Sequence, residues 1–207
     1  MSRVPPGIDE YTLLGDSPTG PLLSKDGSID WATSVAAVPG SEENGSWRIA
    51  PSGNVRGTRH RYRGETLVLE TDFDTAEGSI RLVDFMTPRG KGTHLVRLVE
   101  GVRGRVSARM HLRPRVGRGG TPPRLHHIDG ADVAVAGSDS IWLRTPVETR
   151  AEGVSVLADF FVSAGELLPF VLTWQASHDS APAPLDPLRA LADTESFWSG
   201  LVDRYRP

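Results

Sequence analysis

Aspartates beside glycine turns are the first candidates for acid and base chemistry in this sequence of 207 residues. Asp26 and Asp30 flank an Asp-Gly turn, and a pair of carboxylates can donate and accept protons in hydrolysis. Aspartate before glycine is also the common way to build the turn itself, and we favour that interpretation. Asp16 and Asp84 are interpreted likewise, as acceptors in a turn or at a strand edge. No residue is therefore predicted to be catalytic.

The adjacent histidines His126 and His127 are the main candidates for a metal site. Neighbouring residues on a strand point to opposite faces of a sheet, so the two rings are not expected to bind one ion. The sequence contains no cysteine, which excludes thiolate ligands, disulfides and cysteine nucleophiles. The glycine-rich run 117–120 precedes prolines rather than a helix, so it does not predict a phosphate site. We predict no metal and no cofactor.

Five tryptophans could stack on a sugar, and Trp142 is the one expected at the surface. Its neighbours Ile141 and Leu143 have the opposite parity and are expected to occupy the core. Trp142 is therefore a candidate residue for binding a carbohydrate or another small molecule.

A strongly basic strand face is the second candidate binding feature. In the segment 105–115, apolar and basic residues alternate, which directs the arginines and His111 outward. Such a face attracts an acidic partner or a sugar phosphate, although an ordinary solvated face is the alternative interpretation. The candidates for substrate binding on this face are Arg109, Arg113 and Arg115. The face could be extended by three arginines of an earlier segment: Arg59, Arg61 and Arg63.

Alternation of apolar and polar residues between glycine turns predicts an all-β fold, a large antiparallel, supersandwich-like β-sandwich of about ten to twelve strands. The segment 95–102 is apolar on both faces and predicts a deeply buried central strand. A turn at Arg103-Gly104 is expected to separate it from the basic strand. Asp129-Gly130 predicts a tight hairpin turn. The other predicted strands are 66–73, 80–86, 131–136, 141–145, 154–162 and 168–174.

The C-terminal segment predicts a single amphipathic helix. A proline-containing linker at 181–184 precedes Asp186, which can cap a helix, and Pro187, which suits its first position. Apolar residues then recur at helical spacing over about five turns. They are Leu188, Leu191, Ala192, Trp198, Leu201, Val202 and Tyr205. We therefore divide the chain into a sandwich at 1–180 and a linker with a helix at 181–207.

Charge and hydropathy exclude several classes of partner. The formal net charge of −3 gives no field that would favour nucleic acid, and no stretch approaches the roughly 18 apolar residues of a membrane span. The N-terminal residues lack the apolar core of a signal peptide, and cysteine is absent. We expect a cytoplasmic protein without nucleic-acid or membrane partners.

One stretch resembles the opening signature of a known family, and it reads Leu22-Leu23-Ser24-Lys25-Asp26-Gly27-Ser28-Ile29-Asp30-Trp31. This signature, with the preceding segment 8–16, is similar to the trehalase-like N-terminal domain of bacterial inverting trehalases and glucoamylases. The similarity continues at 45–51, 61–63, 66–71, 83–86, 99–101, 169–174, 177–178 and 194–198. The resemblance implies a large antiparallel β-sandwich, followed by a linker helix that leads into a barrel of helical hairpins.

The sequence departs from the family pattern where the family faces its sugar. The segment after Trp31 lacks the Arg-Phe-Asp-Ser-Pro type motif, and Arg115-Val116-Gly117-Arg118 replaces an Asp-Tyr-Gly-Arg type motif. In the family, two glutamates of the helical barrel act as general acid and base. The sequence ends at Pro207, where that barrel is expected to begin. The resemblance relates the chain to glycoside hydrolases of carbohydrate metabolism but implies that it is not catalytic on its own.

Three functions remain open from the sequence. The leading hypothesis is a non-catalytic sandwich module that packs on a catalytic helical barrel in trans, or on another copy of itself as a homo-oligomer. The second is a module that binds a carbohydrate or another small molecule in the sandwich cleft, with Trp142 and the arginine-rich strand contributing. The third is an enzyme of unrelated chemistry that reuses the sandwich.

Overall fold

Antiparallel strands make up most of the molecule. A computed structural model describes residues 11–14, 22–30, 45–88, 93–115 and 122–205. These ranges hold fourteen strands, more than the number predicted, and one C-terminal helix, so the all-β expectation is confirmed. In chain order they are β1 (Tyr11–Leu13), β2 (Leu22–Ser24), β3 (Ser28–Asp30), β4 (Ser46–Pro51), β5 (Val55–Tyr62), β6 (Leu69–Thr75), β7 (Gly78–Met86), β8 (Thr93–Arg113), β9 (Arg124–Ile128), β10 (Ala131–Ala136), β11 (Asp139–Arg144), β12 (Arg150–Glu152), β13 (Ser155–Ser163), β14 (Leu167–Ala176) and α1 (Pro187–Tyr205).

The strands form two layers that share one long strand. Sheet A has the order β1-β2-β3-β4-β8-β13-β12, and sheet B has the order β5-β6-β7-β8-β14-β11-β10-β9. The first half of β8 pairs with β7 and β14, whereas its second half pairs with β4 and β13. The inner faces of both sheets supply one apolar core, in which the rings of Phe160 and Phe170 lie 5.4 Å apart.

The predicted turn at Arg103-Gly104 is wrong, because β8 continues through it for 21 residues. Gly104 has a φ of +68° and bends the strand without reversing it. β7 runs alongside the bend, and its register shifts between Ser79 and Ile80. Val102, which we expected in the core, lies at this bend and is 47% exposed. The bend is what lets one strand pass from sheet B to sheet A.

Close backbone contact at this bend requires glycine at position 101. A Cβ atom on Gly101 would lie 1.9 Å from the carbonyl oxygen of Ser163, well inside van der Waals contact. The amide of Gly101 also donates to the carbonyl of Glu166, and its carbonyl accepts from Gly165. The corner of the sandwich is therefore held by main-chain contacts that leave no space for a side chain.

Replacing Gly101 by alanine is expected to destabilise the fold by at least about 2 kcal/mol, because backbone must move to admit the methyl group. Gly57→Ala is the matched control: nothing lies within 4 Å of its Cβ position, so its stability should stay the same or rise by up to about 1 kcal/mol. Urea unfolding followed by tryptophan fluorescence measures both changes. Equal stability of the two variants would contradict this account of the bend.

A fully buried ion pair lies between the sheets. Arg97 on β8 and Asp84 on β7 are opposite each other in register, and both side chains have no exposed surface. Arg97 donates to Asp84 at 2.8 and 3.1 Å, to the carbonyl of Trp47 at 2.7 Å and to the carbonyl of Gly27 at 3.0 Å. Asp84 was expected at a turn or strand edge. That expectation is wrong, because the arginine supplies the partners that a buried carboxylate needs.

Replacing Arg97 by methionine is expected to destabilise the protein by about 3–5 kcal/mol, because it leaves the carboxylate of Asp84 buried without its counter-ion. The double variant Arg97→Met with Asp84→Leu should recover part of this loss, since it removes both charges. Arg189→Met is the control, because Arg189 is exposed and pairs only at 3.9 Å with Asp193. Chemical denaturation measures these changes in stability. A double variant that is less stable than Arg97→Met would contradict this account of the ion pair.

Helix α1 begins where the sequence predicts, but it packs on the sheet along a different stripe of residues. The carboxylate of Asp186 accepts from the amides of Leu188 and Arg189 at 3.0 and 3.1 Å, which confirms the predicted cap. Ala190 and Thr194 are buried, and Ala190 contacts the apolar outer face of sheet B. Leu188 and Ala192 belong to the predicted apolar stripe, but both are exposed. The small side chains of Ala190 and Thr194 allow a closer approach to the sheet than leucine would.

Candidate functional site

The carboxylate of the Asp-Gly hairpin between β2 and β3 makes contacts that stabilise the turn. Asp26 accepts from the hydroxyl of Ser24 at 2.5 Å, the amide of Ser28 at 3.3 Å and the guanidinium of Arg48 at 3.3 Å. Gly27 has a φ of +80°, and a Cβ there would lie 2.4 Å from the carbonyl oxygen of Ile49. The interpretation of Asp26 as a turn residue is confirmed. Asp16 and the side chain of Asp30 lie outside the described residues.

Trp142 is not a surface residue. Its side chain is only 7% exposed, packs with Ala131 and Val133 on the outer face of sheet B, and donates its indole N–H to Ser140 at 3.1 Å. The parity argument was correct, because Ile141 and Leu143 do lie in the core. Exposure was predicted wrongly because parity does not show that side chains of β10 pack against the ring. The linker after β14 also contacts β11, since the carbonyl of Pro182 accepts from Arg144.

The arginine candidates lie on the other side of the molecule. Arg109 and Arg113 point outward from sheet A, since Met110 and Leu112 are buried, and Arg115 is exposed just past the end of β8. Arg109 donates to Asp159 at 2.5 Å, and Arg150 contacts the other oxygen at 2.8 Å. Hydrogen bonds from these two arginines lower the pKa of Asp159. Because the outer faces of the two sheets point in opposite directions, these arginines and Trp142 cannot share one binding site.

The basic face does not extend to Arg59, Arg61 and Arg63, which lie on β5 and its end, in sheet B. Arg61 and Arg63 both pair with Glu70, and Arg63 also reaches Glu195 of α1 at 2.9 Å. Burial raises the pKa of Asp72, but hydrogen bonds from Arg81 and Arg61 outweigh it and hold that pKa below its usual value. This group of arginines and carboxylates joins β5, β6, β7 and α1.

The adjacent histidines His126 and His127 lie beside a different candidate site. His126 lies opposite Val133 and His127 opposite Asp132 in the β9–β10 hairpin, so the two side chains point to opposite faces as expected. The turn of this hairpin is formed by Asp129, with a φ of 49°, and Gly130, as predicted. Among the described residues, no group of three or more His, Asp or Glu side chains is placed to hold a metal ion.

A cleft of about 530 Å³ opens between this hairpin and the connection from β11 to β12. Its walls include the apolar residues Leu125, Leu143, Val147 and Val156. Asp132 joins the two walls, because it contacts the ring Nδ1 of His127 at 3.0 Å and accepts from the hydroxyl of Thr149 at 2.6 Å.

The sequence reasoning missed Asp132 and Thr149. A two-residue turn at Asp129-Gly130 fixes the pairing of the hairpin, so the proximity of His127 and Asp132 could have been deduced from it. Thr149 gave no such signal, because it lies on an irregular connection.

The comparisons with known proteins fit this architecture. Residues 2–195 match the family model described as "Trehalase-like, N-terminal". The chain belongs to this family. A search of curated proteins found no match. In this trehalase-like N-terminal domain, the signature hairpin is thus a structural feature, whose Gly27 carbonyl is held by the buried Arg97. Within the described ranges, no helix combines the length and apolar character that a membrane span requires.

Two half-buried histidines should make the stability of the trehalase-like domain pH-dependent. Burial lowers the pKa of His60, which bridges Lys25 and Thr71, and of His94, which contacts Thr173. Both pKa values lie below the unfolded value of 6.5, so the unfolded chain binds more protons as the pH falls through that value. The free energy of unfolding is therefore expected to decrease on acidification below that pH.

Urea unfolding at about pH 7 and about pH 5 measures this decrease. The double variant His60→Gln with His94→Gln should lose less stability over this interval than the wild-type chain. His178→Gln is the control, because the side chain of His178 is 81% exposed. An unchanged pH dependence in the double variant would exclude these histidines as its cause.

Proposed function

We propose that this trehalase-like N-terminal domain is a non-catalytic module that packs against a helical catalytic domain, of the same polypeptide or of a separate one. A second copy of the chain is the alternative partner. The second half of α1 is the proposed contact, and the observation that carries the proposal is its pattern of apolar residues.

The apolar side chains of α1 extend beyond the surface on which the helix packs. Ala190 and Leu191, in its first half, belong to the cluster on the outer face of sheet B. The second half carries Phe197, Trp198, Leu201 and Val202, which contribute to no buried cluster within the described part of the chain. Phe197 is 42% exposed and contacts Trp198 edge-on. Apolar side chains concentrated in this way are typical of a surface that another protein covers.

The carboxylates of the domain support a non-catalytic role. A glycosidase general acid needs a raised pKa so that it carries a proton near neutral pH. Here arginines lower the pKa of Asp72 and Asp159, and Asp84 is buried against Arg97. The carboxylates of Asp72 and Asp159 are therefore held in the ionised form, which suits structural ion pairs. Membership of a trehalase-like family supports a role in carbohydrate metabolism through the partner, a glycoside hydrolase.

Size-exclusion chromatography with light scattering tests the packing proposal. The purified chain should associate with a helical catalytic domain of a trehalase-like hydrolase, or form a dimer. Phe197→Gln combined with Leu201→Gln should weaken the association by at least about tenfold, because it removes apolar contact area from the interface.

Phe161→Gln is the matched control, because Phe161 is also an exposed phenylalanine but lies on sheet A. Circular dichroism should show unchanged helix content in all variants. A chain that remains monomeric and binds no helical domain would contradict the proposal. So would turnover of trehalose or a maltooligosaccharide that is lost when one of its own carboxylates is replaced.

A cytoplasmic location forms part of the same proposal. The chain has no cysteine, which suits a reducing compartment, where disulfides are rare. Fractionation of cells that produce the chain from its native gene would test this location.

A further inference from the structure

In the cleft beside the β9–β10 hairpin, the junction of His127, Asp132 and Thr149 presents mainly hydrogen-bond acceptors. A carboxylate can only accept, so the contact between His127 and Asp132 requires the proton on Nδ1 of the imidazole. In the neutral imidazole the other ring nitrogen, Nε2, is then an acceptor. The hydroxyl of Thr149 is likewise committed as a donor to Asp132, which leaves its oxygen to accept.

Charge adds to this preference. Asp132 and Glu148 both line the cleft, and no arginine or lysine is among the described residues that line it. An anionic ligand would meet two carboxylates without a compensating cation. None of the described lining residues is phenylalanine, tyrosine or tryptophan, so the cleft offers none of the large rings on which sugars usually stack.

The apolar walls of the cleft indicate the nonpolar part of the ligand. Leu125 and Val147 are partly exposed and contact the core from the cleft side. They can cover a short hydrocarbon chain, while the acceptors near Asp132 and Thr149 bind a group that carries several N–H donors. The volume of about 530 Å³ lies within the usual range of small-molecule sites.

We propose that this cleft binds a small organic ammonium group attached to a short aliphatic chain, through Asp132, Thr149 and His127. A primary ammonium supplies three donors and a positive charge, which matches acceptors of net negative charge. The same chemistry is present in a free alkylamine and in a lysine side chain. This site lies apart from α1 and does not depend on the packing proposed for that helix.

Nuclear magnetic resonance of the full chain labelled with ¹⁵N tests the site, with n-butylammonium as the probe. Saturable shifts are expected for amides at 125–132 and 145–149, with a dissociation constant of about 1 mM. Tetramethylammonium lacks N–H donors, n-butanol lacks the charge and butyrate has the opposite charge. Each should bind at least about tenfold more weakly at equal ionic strength.

A lysine derivative distinguishes the two sources of the ammonium group. If Nα-acetyl-lysine amide binds as tightly as n-butylammonium, a lysine side chain of a partner fits the cleft. If it binds more weakly, the cleft favours a free amine. Either result supports an ammonium site.

Two substitutions test the residues. Asp132→Asn removes the charge, and Thr149→Val removes the hydroxyl with little change of shape, so each should weaken binding of n-butylammonium by about tenfold. Asp193→Asn makes the same change of charge on the exposed side of α1 and should leave binding unaltered. Dispersed amide spectra of each variant establish that it is folded.

Binding of the different ligands to the wild-type chain decides the outcome even if a variant does not fold. The proposal is overturned if n-butylammonium gives no saturable shift, or if tetramethylammonium or n-butanol binds equally well. It is also overturned if folded Asp132→Asn and Thr149→Val variants bind n-butylammonium as the wild-type chain does. None of these results depends on whether α1 packs against a partner.

Discussion

The sandwich depends on the contacts of one buried side chain, Arg97. One guanidinium, without exposed surface, connects Asp84 of β7, the carbonyl of Trp47 on β4 and the carbonyl of Gly27 in the signature hairpin. It also lies 5.3 Å from the centre of the Trp47 ring. A buried charge is tolerated only where its partners have fixed positions. Arg97 therefore sets the separation of the sheets and the place of the N-terminal hairpin together.

The long strand β8 transmits this constraint across both layers. Its first half carries Arg97 in sheet B, and its second half pairs with β4, whose Trp47 accepts from that same arginine. The bend near Gly101 makes the passage between sheets with main-chain contacts alone. Because one continuous strand belongs to both sheets, neither can shift without straining the other.

The outer surfaces of the two sheets differ in charge and in the segments that cover them. Sheet A carries Arg109 and its ion-paired neighbours, whereas sheet B is covered by the linker and by α1. The ion pair of Arg63 with Glu195 fixes the middle of the helix, and its apolar second half continues past that point. The cleft near Asp132 lies at a third position, between the β9–β10 hairpin and the connection from β11 to β12. The packing and the ligand binding that we propose therefore involve separate surfaces.

The sequence by itself determined the elements whose signals are local. Period-two alternation gave the strands, Asp129-Gly130 the hairpin, and Asp186-Pro187 the helix start, because each depends on residues adjacent in the chain. Only the tertiary structure decided which outward residues stay exposed. Trp142 has the parity of a surface residue but is buried against side chains of β10, and Asp84 acquires its partner from another strand. The continuity of β8 and the junction of His127, Asp132 and Thr149 likewise depend on contacts between distant segments, which a local pattern does not encode.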